Sequence, residues 1–201
     1  MDTYLTILNP SQGTYSQLRS KFLAFAYPVK TEDEVKQHVV AIQKKYYDAR
    51  HACYAYMLGA DRQKFRANDN GEPSGTAGKP ILGQINSNNL TDILIIVVRY
   101  FGGIKLGTSG LIQAYRAAAV EAIQAATIVE KTVDETIGIT FPFPAMNAVM
   151  KVVKDIGPQI MDQGYADDKC TMKLTIRQGQ MPVLKSRLEK IIELKIIENE
   201  Q

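Results

Sequence analysis

The chain has 201 residues, a length that suits one large or two small domains. Its 45% apolar content supports a packed core and argues against disorder, and no stretch reaches the roughly 18 apolar residues of a membrane span. The net charge of +3 is too mild to argue for nucleic acid alone, but residues 1–131 hold 15 Lys/Arg against 11 Asp/Glu while 132–201 hold 9 against 10, so any anion-facing surface is expected in the first part.

Met1 to Asn9 has no basic start and no sustained apolar run, so it does not read as a signal peptide. Cys53 and Cys170 stand far apart with no partner spacing, which points to a reducing compartment, most simply the cytoplasm. Residues 13–29 alternate in character and predict a strand with a bend, ended by Pro28. Thr31 with Glu34 is a capping box. It opens a helix carrying Val35, Val39, Ile42 and Tyr46 at helical spacing. A strand follows at His51–Leu58, then a polar loop over 60–75, then a helix near 76–88. The run ILIIVV at 93–98 reads as a strand buried on both faces. A helix rich in alanine then runs from about Thr108 to Ala126. Residues 127–135 are a connector with some strand character.

After the connector the pattern restarts. Strand (136–141), helix (144–155), strand (158–165), strand (169–177), helix (181–193) and strand (194–198) spell βαββαβ, the ferredoxin-like plait. Gly164 and Asp167-Asp168 sit where its hairpin should turn.

Two glycine-rich segments carry the chemistry. The first is RANDNGEPSGTAGKP, residues 66–80. Asn, Asp and Gly here are turn formers. Thr76 can cap the next helix, or Pro80 can open it. In either case the backbone N–H groups of 76–79 are expected to face outward and suit an anion, with Lys79 and Arg66 adding charge. The segment is not a Walker A loop, because Pro73 and Pro80 occupy positions where that motif needs Gly and Ser or Thr. A rigid loop with no ligand fits the local chemistry equally well. Asp69 and Glu72 can hold a metal through oxygen ligands, but pairing with Arg66 or Lys79 is the better expectation, and Gly71 and Gly75 shape the turn.

The second segment is RYFGGIKLGTSGLIQAYR, residues 99–116. It leaves the buried strand and enters the long helix. Gly102, Gly103, Gly107 and Gly110 permit close backbone approach, and Thr108 or Ser109 can cap the helix. Arg99, Lys105 and Arg116 supply charge, and Tyr100 and Tyr115 supply ring faces. Together the two segments are expected to border one groove suited to phosphate and base contacts. The plainer alternative is that the glycines only allow tight helix–strand packing. His51 and Cys53, two apart on a strand, share a face and read as a buried structural pair rather than a base and a nucleophile. His38 lies on a helix surface and carries no signal.

DNGEPSGTAGKP and VVRYFGGIKLGTSGLIQAYR, with ARHACYAY (49–56) and RSKFLA (19–24) in the right order, resemble the motifs of the IMPACT/YigZ family. The resemblance covers the whole chain. It implies an α+β protein: a domain like the second domain of ribosomal protein S5 at 1–131, and at 134–201 a ferredoxin-like domain resembling a late domain of elongation factor G. It also implies a translation-linked role. The eukaryotic member competes for a general-control activator and so restrains a kinase acting on an initiation factor. Bacteria lack that kinase pathway, so the role does not transfer directly. The positions that match are Asp69, Gly71, Glu72, Gly75, Thr76, Gly78 and Lys79; Arg99, Tyr100, Gly102, Gly103, Gly107 and Gly110; and His51 and Cys53. The family supplies no catalytic residues, and neither a cofactor nor a metal is expected. The expected partner is RNA or a ribosome-associated component, with no membrane. Two rival classes remain. One is a phosphate- or nucleotide-binding enzyme, since GIKLGTSGLIQA looks faintly like the phosphate loop of small-molecule kinases that share the S5-like fold. The other is a protein-interaction adaptor that binds no nucleic acid.

Overall fold

A computed structural model describes residues 2–166 and 168–197. The chain forms two compact units, one of Tyr4–Lys131 and one of Met1–Thr3 with Thr132–Gln201. Both mix strands and helices, so the protein is α+β. Among the described residues no helix is long and apolar enough to cross a membrane.

The first unit is built on a five-stranded antiparallel sheet. Its strands are β2 (Ser11–Gln17), β3 (Ser20–Pro28), β4 (His51–Leu58), β5 (Lys64–Asn68) and β6 (Ile93–Tyr100), in the order β2-β3-β6-β4-β5. The central strand β6 explains the layering. Ile93, Ile95 and Val97 face one core, while Leu94, Ile96 and Val98 face another. All six side chains are fully buried, and burying one such side chain contributes about 1.5–3 kcal/mol. Helices α2 (Gly78–Ser87) and α3 (Gly107–Gln124) cover the first face. Helix α1 (Glu32–Lys45) covers the second through Val35, Val39 and Ile42. Alanines 114, 118, 119 and 122 let α3 lie close on the sheet; at Gly13 even a Cβ would collide with the α3 backbone, 2.4 Å from the nitrogen of Ala122.

The Thr31 cap of α1 forms, while the return bond of Glu34 falls one residue before the cap. Thr31 accepts from the N–H of Glu34 at 3.2 Å, and Glu34 reaches back to the N–H of Lys30 at 2.7 Å. Residues 13–29, however, make a hairpin rather than one bent strand. Gln17 pairs with Ser20, and Leu18 and Arg19 turn the chain with φ of 45° and 64°. These are the angles of a two-residue hairpin turn, reached here without the usual Asn or Gly. The predicted loop over 60–75 contains β5, an edge strand whose exposed Lys64, Phe65 and Arg66 gave no buried alternation to detect. A further strand, β1 (Thr3–Ile7), pairs with β7 (Ile128–Thr132) inside the predicted connector.

The second unit is the βαββαβ plait. Strands β8 (Asp134–Pro142), β9 (Gln159–Ala166), β10 (Lys169–Arg177) and β11 (Lys195–Ile197) stand in the order β11-β8-β10-β9, all antiparallel. Helices α4 (Met146–Ile156) and α5 (Met181–Leu188) share its core with Ile139, Phe141, Met172 and Leu174. Helix α4 stops at Gly157, which takes the left-handed conformation at φ 77° that ends helices. Helix α5 ends at Leu188, five residues before the predicted 193. Of the hairpin turn predicted at Asp167-Asp168, Asp167 lies outside the described residues, as does residue 198 of the predicted last strand. Asp2 belongs to this unit through a two-point pair with Arg177, at 2.6 and 2.8 Å.

Candidate anion and nucleic-acid cleft

The first glycine-rich segment leaves β5 and turns into α2. Its Asp69 carboxylate accepts from the backbone N–H groups of Gly75 (2.8 Å), Ala77 (3.0 Å) and Gly78 (2.8 Å). Burial opposes the charge on Asp69, but these three donors and the nearby Lys79 outweigh it and hold the pKa below its usual value. The amide of Thr76 is used as well, donating to the carbonyl of Pro73 at 3.1 Å. The expectation of free N–H groups over 76–79 is therefore corrected: at 76, 77 and 78 they are taken inside the loop. Neither proposed helix start holds either. The helix begins at Gly78 behind Ala77, and the Thr76 hydroxyl bonds the Pro73 carbonyl at 2.6 Å instead of capping. Gly78 is required by crowding, since a Cβ there would sit 2.5 Å from the nitrogen of Asn68.

The same loop is fastened from below. His51 Nδ1 lies 2.9 Å from the carbonyl oxygen of Asn70, and the Cys53 thiol donates to the carbonyl of Asp69 at 2.9 Å. Cys53 is fully buried, and burial pushes its pKa up to about 12. It is no nucleophile at neutral pH. Glu72 does not pair with Arg66 or Lys79. It pairs with Arg99 at 2.7 Å and accepts from the Tyr115 hydroxyl at 2.8 Å, with its side chain only 3% exposed. Arg99 is thus a buried partner of the loop rather than an open phosphate contact. Tyr115 is likewise a core residue, not an exposed ring, and its burial raises its pKa.

The second segment behaves differently. Gly102 packs on the β2–β3 hairpin, where a Cβ would come within 2.0 Å of the Arg19 backbone. Beyond it the chain opens. Helix α3 starts at Gly107 behind Leu106, and among the described residues no side chain caps it. Thr108 and Ser109, expected as caps, are exposed residues inside its first turn. A helix of 18 residues therefore presents uncapped N–H groups and the positive end of its dipole.

That end borders a cleft of about 730 Å³. Asp48, Arg50 and His51 enter it from the start of β4, Glu72 and Pro73 from the first loop, and Arg99 to Phe101 with Lys105 to Thr108 from the second. A smaller cleft of about 430 Å³ is lined by Gly75, Lys79, Gln84, Ser87 and Arg116. The first loop contributes to both. The single groove expected from sequence is therefore resolved into two. Arg50 and Lys105 in the larger cleft and Lys79 and Arg116 in the smaller are all exposed, and none is ion-paired within 4.0 Å among the described residues. Phe101 is 56% exposed beside the Arg99 guanidinium, 5.6 Å from its ring centre. Tyr100 donates to Asp48 at 2.8 Å, which occupies that rim carboxylate. Arg66 lines neither cleft; it sits on edge strand β5. Gly110 is buried in the first turns of α3. Sequence reasoning missed Arg50, an exposed cation inside the ARHACYAY motif with no glycine near it to draw notice. His38 is stacked on Tyr27 at 4.2 Å. Among the described residues no three His, Cys, Asp or Glu converge to hold a metal ion.

The family model described as the Impact N-terminal domain matches residues 18–123, just over half the chain. The chain belongs to the IMPACT family. It is similar to "IMPACT family member YvyE" of Bacillus subtilis, 37% identical over 131 residues, which is 65% of this chain and 60% of that protein. It is also similar to "IMPACT family member YigZ" of Escherichia coli, 36% identical over 134 residues, 66% of each. Among solved structures, a crystal structure described as that of an hypothetical protein covers all of this chain and 99% of its own at 26% identity, with a TM-score of 0.77. Residues 18–123 contain both glycine-rich segments, His51 and Cys53, and every cation of the two clefts.

Proposed function

We propose that this IMPACT-family protein is a cytoplasmic, translation-linked regulator that binds RNA through the two clefts of its first unit. The S5-like character of that unit, and the elongation-factor-like character of the plait, belong to the same proposal. The observation that carries it is the placement of four exposed, unpaired cations. Arg50 and Lys105 lie in one cleft and Lys79 and Arg116 in the next, with the 72–79 loop lining both. A strand crossing that loop would meet cations on each side and the open ring of Phe101. That is the combination a single strand uses: charge along its backbone and a face for stacking. The amides of the first loop are engaged within the loop itself. It serves as a rigid divider, while the start of α3 and the four cations do the binding.

The test is binding of a structured and an unstructured RNA across a salt series. The proposal expects micromolar affinity at low salt and a log–log salt slope of about −2 to −4, as a few phosphate contacts give. Absence of binding at low salt would sink it.

A further inference from the structure

An edge strand presents backbone N–H and C=O groups that can template another strand, and proteins blunt such edges with charge, proline, a bulge or brevity. The two larger sheets have four edges: β2 and β5 in one, β11 and β9 in the other. Three of them are blunted. Strand β5 exposes Lys64 and Arg66. Strand β11 has three residues, one of them an exposed Lys195. Strand β9 carries an exposed Asp162, and its register against β10 shifts between Lys173 and Leu174. Strand β2 has none of these devices. Its seven residues, SQGTYSQ, hold no charge and no proline, and they pair with β3 in unbroken register from Ser11–Ala26 to Gln17–Ser20.

The hairpin turn fixes which backbone groups of β2 are open. With a two-residue loop, the closing pair Gln17–Ser20 exchanges both of its hydrogen bonds. The alternation then aims Tyr15, Gly13 and Ser11 at β3 as well, and turns the N–H and C=O groups of Gln12, Thr14 and Ser16 outward. Those three residues are exposed, and outside the ladder no backbone bond reaches them among the described residues.

Helix α3 forms a wall beside this edge. It passes so close over β2 that a Cβ on Gly13 would lie 2.6 Å from the Cβ of Glu121. Glu121 is exposed and forms no ion pair within 4.0 Å among the described residues. The cation beside the edge, Lys21, lies on the opposite face, since its neighbour Phe22 joins the core under α3. A free carboxylate above an uncharged edge favours a cation on an incoming strand. The wall also decides what can enter. A second copy paired through its own β2 would bring its own α3 along. Paired strands lie about 4.8 Å apart, whereas packed helices need about 8–10 Å, so the two helices would collide. A lone extended peptide brings no helix.

We propose that the β2 edge takes an extended peptide segment of a partner protein as a further strand of the sheet, with a lysine or arginine of that segment facing Glu121. The outward groups of Gln12, Thr14 and Ser16 pair with its backbone, which is the strand-addition mode of peptide recognition. The site is independent of the RNA reading: none of these four residues lines either cleft.

The probe is a synthetic peptide of alternating threonine and valine with one central lysine, capped at both ends. A twin carries glutamate in place of the lysine. Amide hydrogen exchange of the full chain is followed by NMR. The proposal expects the lysine peptide to slow exchange at Gln12, Thr14 and Ser16 at least about tenfold, saturably, and to bind at least about threefold tighter than its twin. Glu121→Lys should reverse that preference. Thr14→Pro removes an outward N–H while leaving the ladder to β3 intact, so it should fold and lose the protection. Thr14→Lys, which keeps the N–H but charges the edge, is the second variant and should weaken binding at least about fivefold. Exchange at 12, 14 and 16 that neither peptide changes overturns the proposal. Protection of these amides that grows with chain concentration, with no peptide present, overturns it in favour of a second copy. Equal binding of the two peptides overturns the pairing with Glu121.

Discussion

In the first glycine-rich turn, the carboxylate of Asp69, from eight residues before Ala77, fills the start of α2. In the second, no side chain among the described residues caps the start of α3, and an 18-residue helix begins beside a cleft. The two turns look alike in sequence: glycines, a hydroxyl residue, a lysine, then a helix. Their difference lies in whether the chain supplies its own anion. Where it does, the loop is a built part with every amide from 75 to 78 engaged. Where it does not, the helix terminus keeps its capacity for an anion from outside.

The largest effect should come from breaking what makes the first turn rigid. Glu72→Ala would leave Arg99 charged and unpaired in the interior. Removing one partner of a buried pair costs about 3–5 kcal/mol, and Tyr115 would lose its acceptor too. Denaturant unfolding should report a loss in that range. A loss under about 1 kcal/mol would mean that the pair is not truly buried.

Asp69→Ala should come next, at about 2 kcal/mol, the upper end for a lost helix cap. Its pH signature is distinctive. Folding lowers the Asp69 pKa, so the carboxylate stabilises the fold above its unfolded value near 3.9. That contribution is lost as pH falls through the lower folded value. The stability gap between the wild type and Asp69→Ala should therefore be full at pH 6 and shrink below about pH 4. A gap that does not change between pH 6 and pH 3 would show that the charge on Asp69 does not matter.

The second turn should show the opposite balance. Lys105→Ala should leave stability within about 0.5 kcal/mol, as for an exposed side chain, yet weaken RNA binding about fivefold and reduce the salt slope by about 1. Smallest of all is the effect on the two thiols. Cys53, with its pKa pushed up to about 12, and the buried Cys170 should both resist a thiol reagent at pH 8 until denaturant opens the fold. Fast reaction of either in the native protein would contradict the packing beneath the first turn.

The sequence made some elements plain and left others silent, for physical reasons. ILIIVV announced a doubly buried strand because every side chain in it is apolar. Thr31 and Glu34 announced a helix start because their capping chemistry is local, three residues apart. The plait was readable because its helices and strands alternate with ordinary turn residues. Strand β5 was silent because it is an edge with its first three residues exposed. The β2–β3 turn was silent because Leu18 and Arg19 are not turn formers, and the paired strands impose their φ. In the cleft, the loss was of a different kind. Asp69 as a remote cap and Glu72 as the partner of Arg99, 27 residues away, depend on tertiary placement. Local spacing instead suggested Arg66 and Lys79 as partners, and suggested that the amides after Gly75 were free. The glycines marked the right region, but what each turn offers is decided by side chains that come from elsewhere.

The most direct test of that contrast is backbone amide NMR during titration with inorganic phosphate at low ionic strength. The account predicts that the amides of Gly107, Thr108 and Ser109 shift in a saturable manner, while those of Gly75, Ala77 and Gly78, held by Asp69, stay in place. Saturable shifts at 75–78 with none at 107–109 would contradict it.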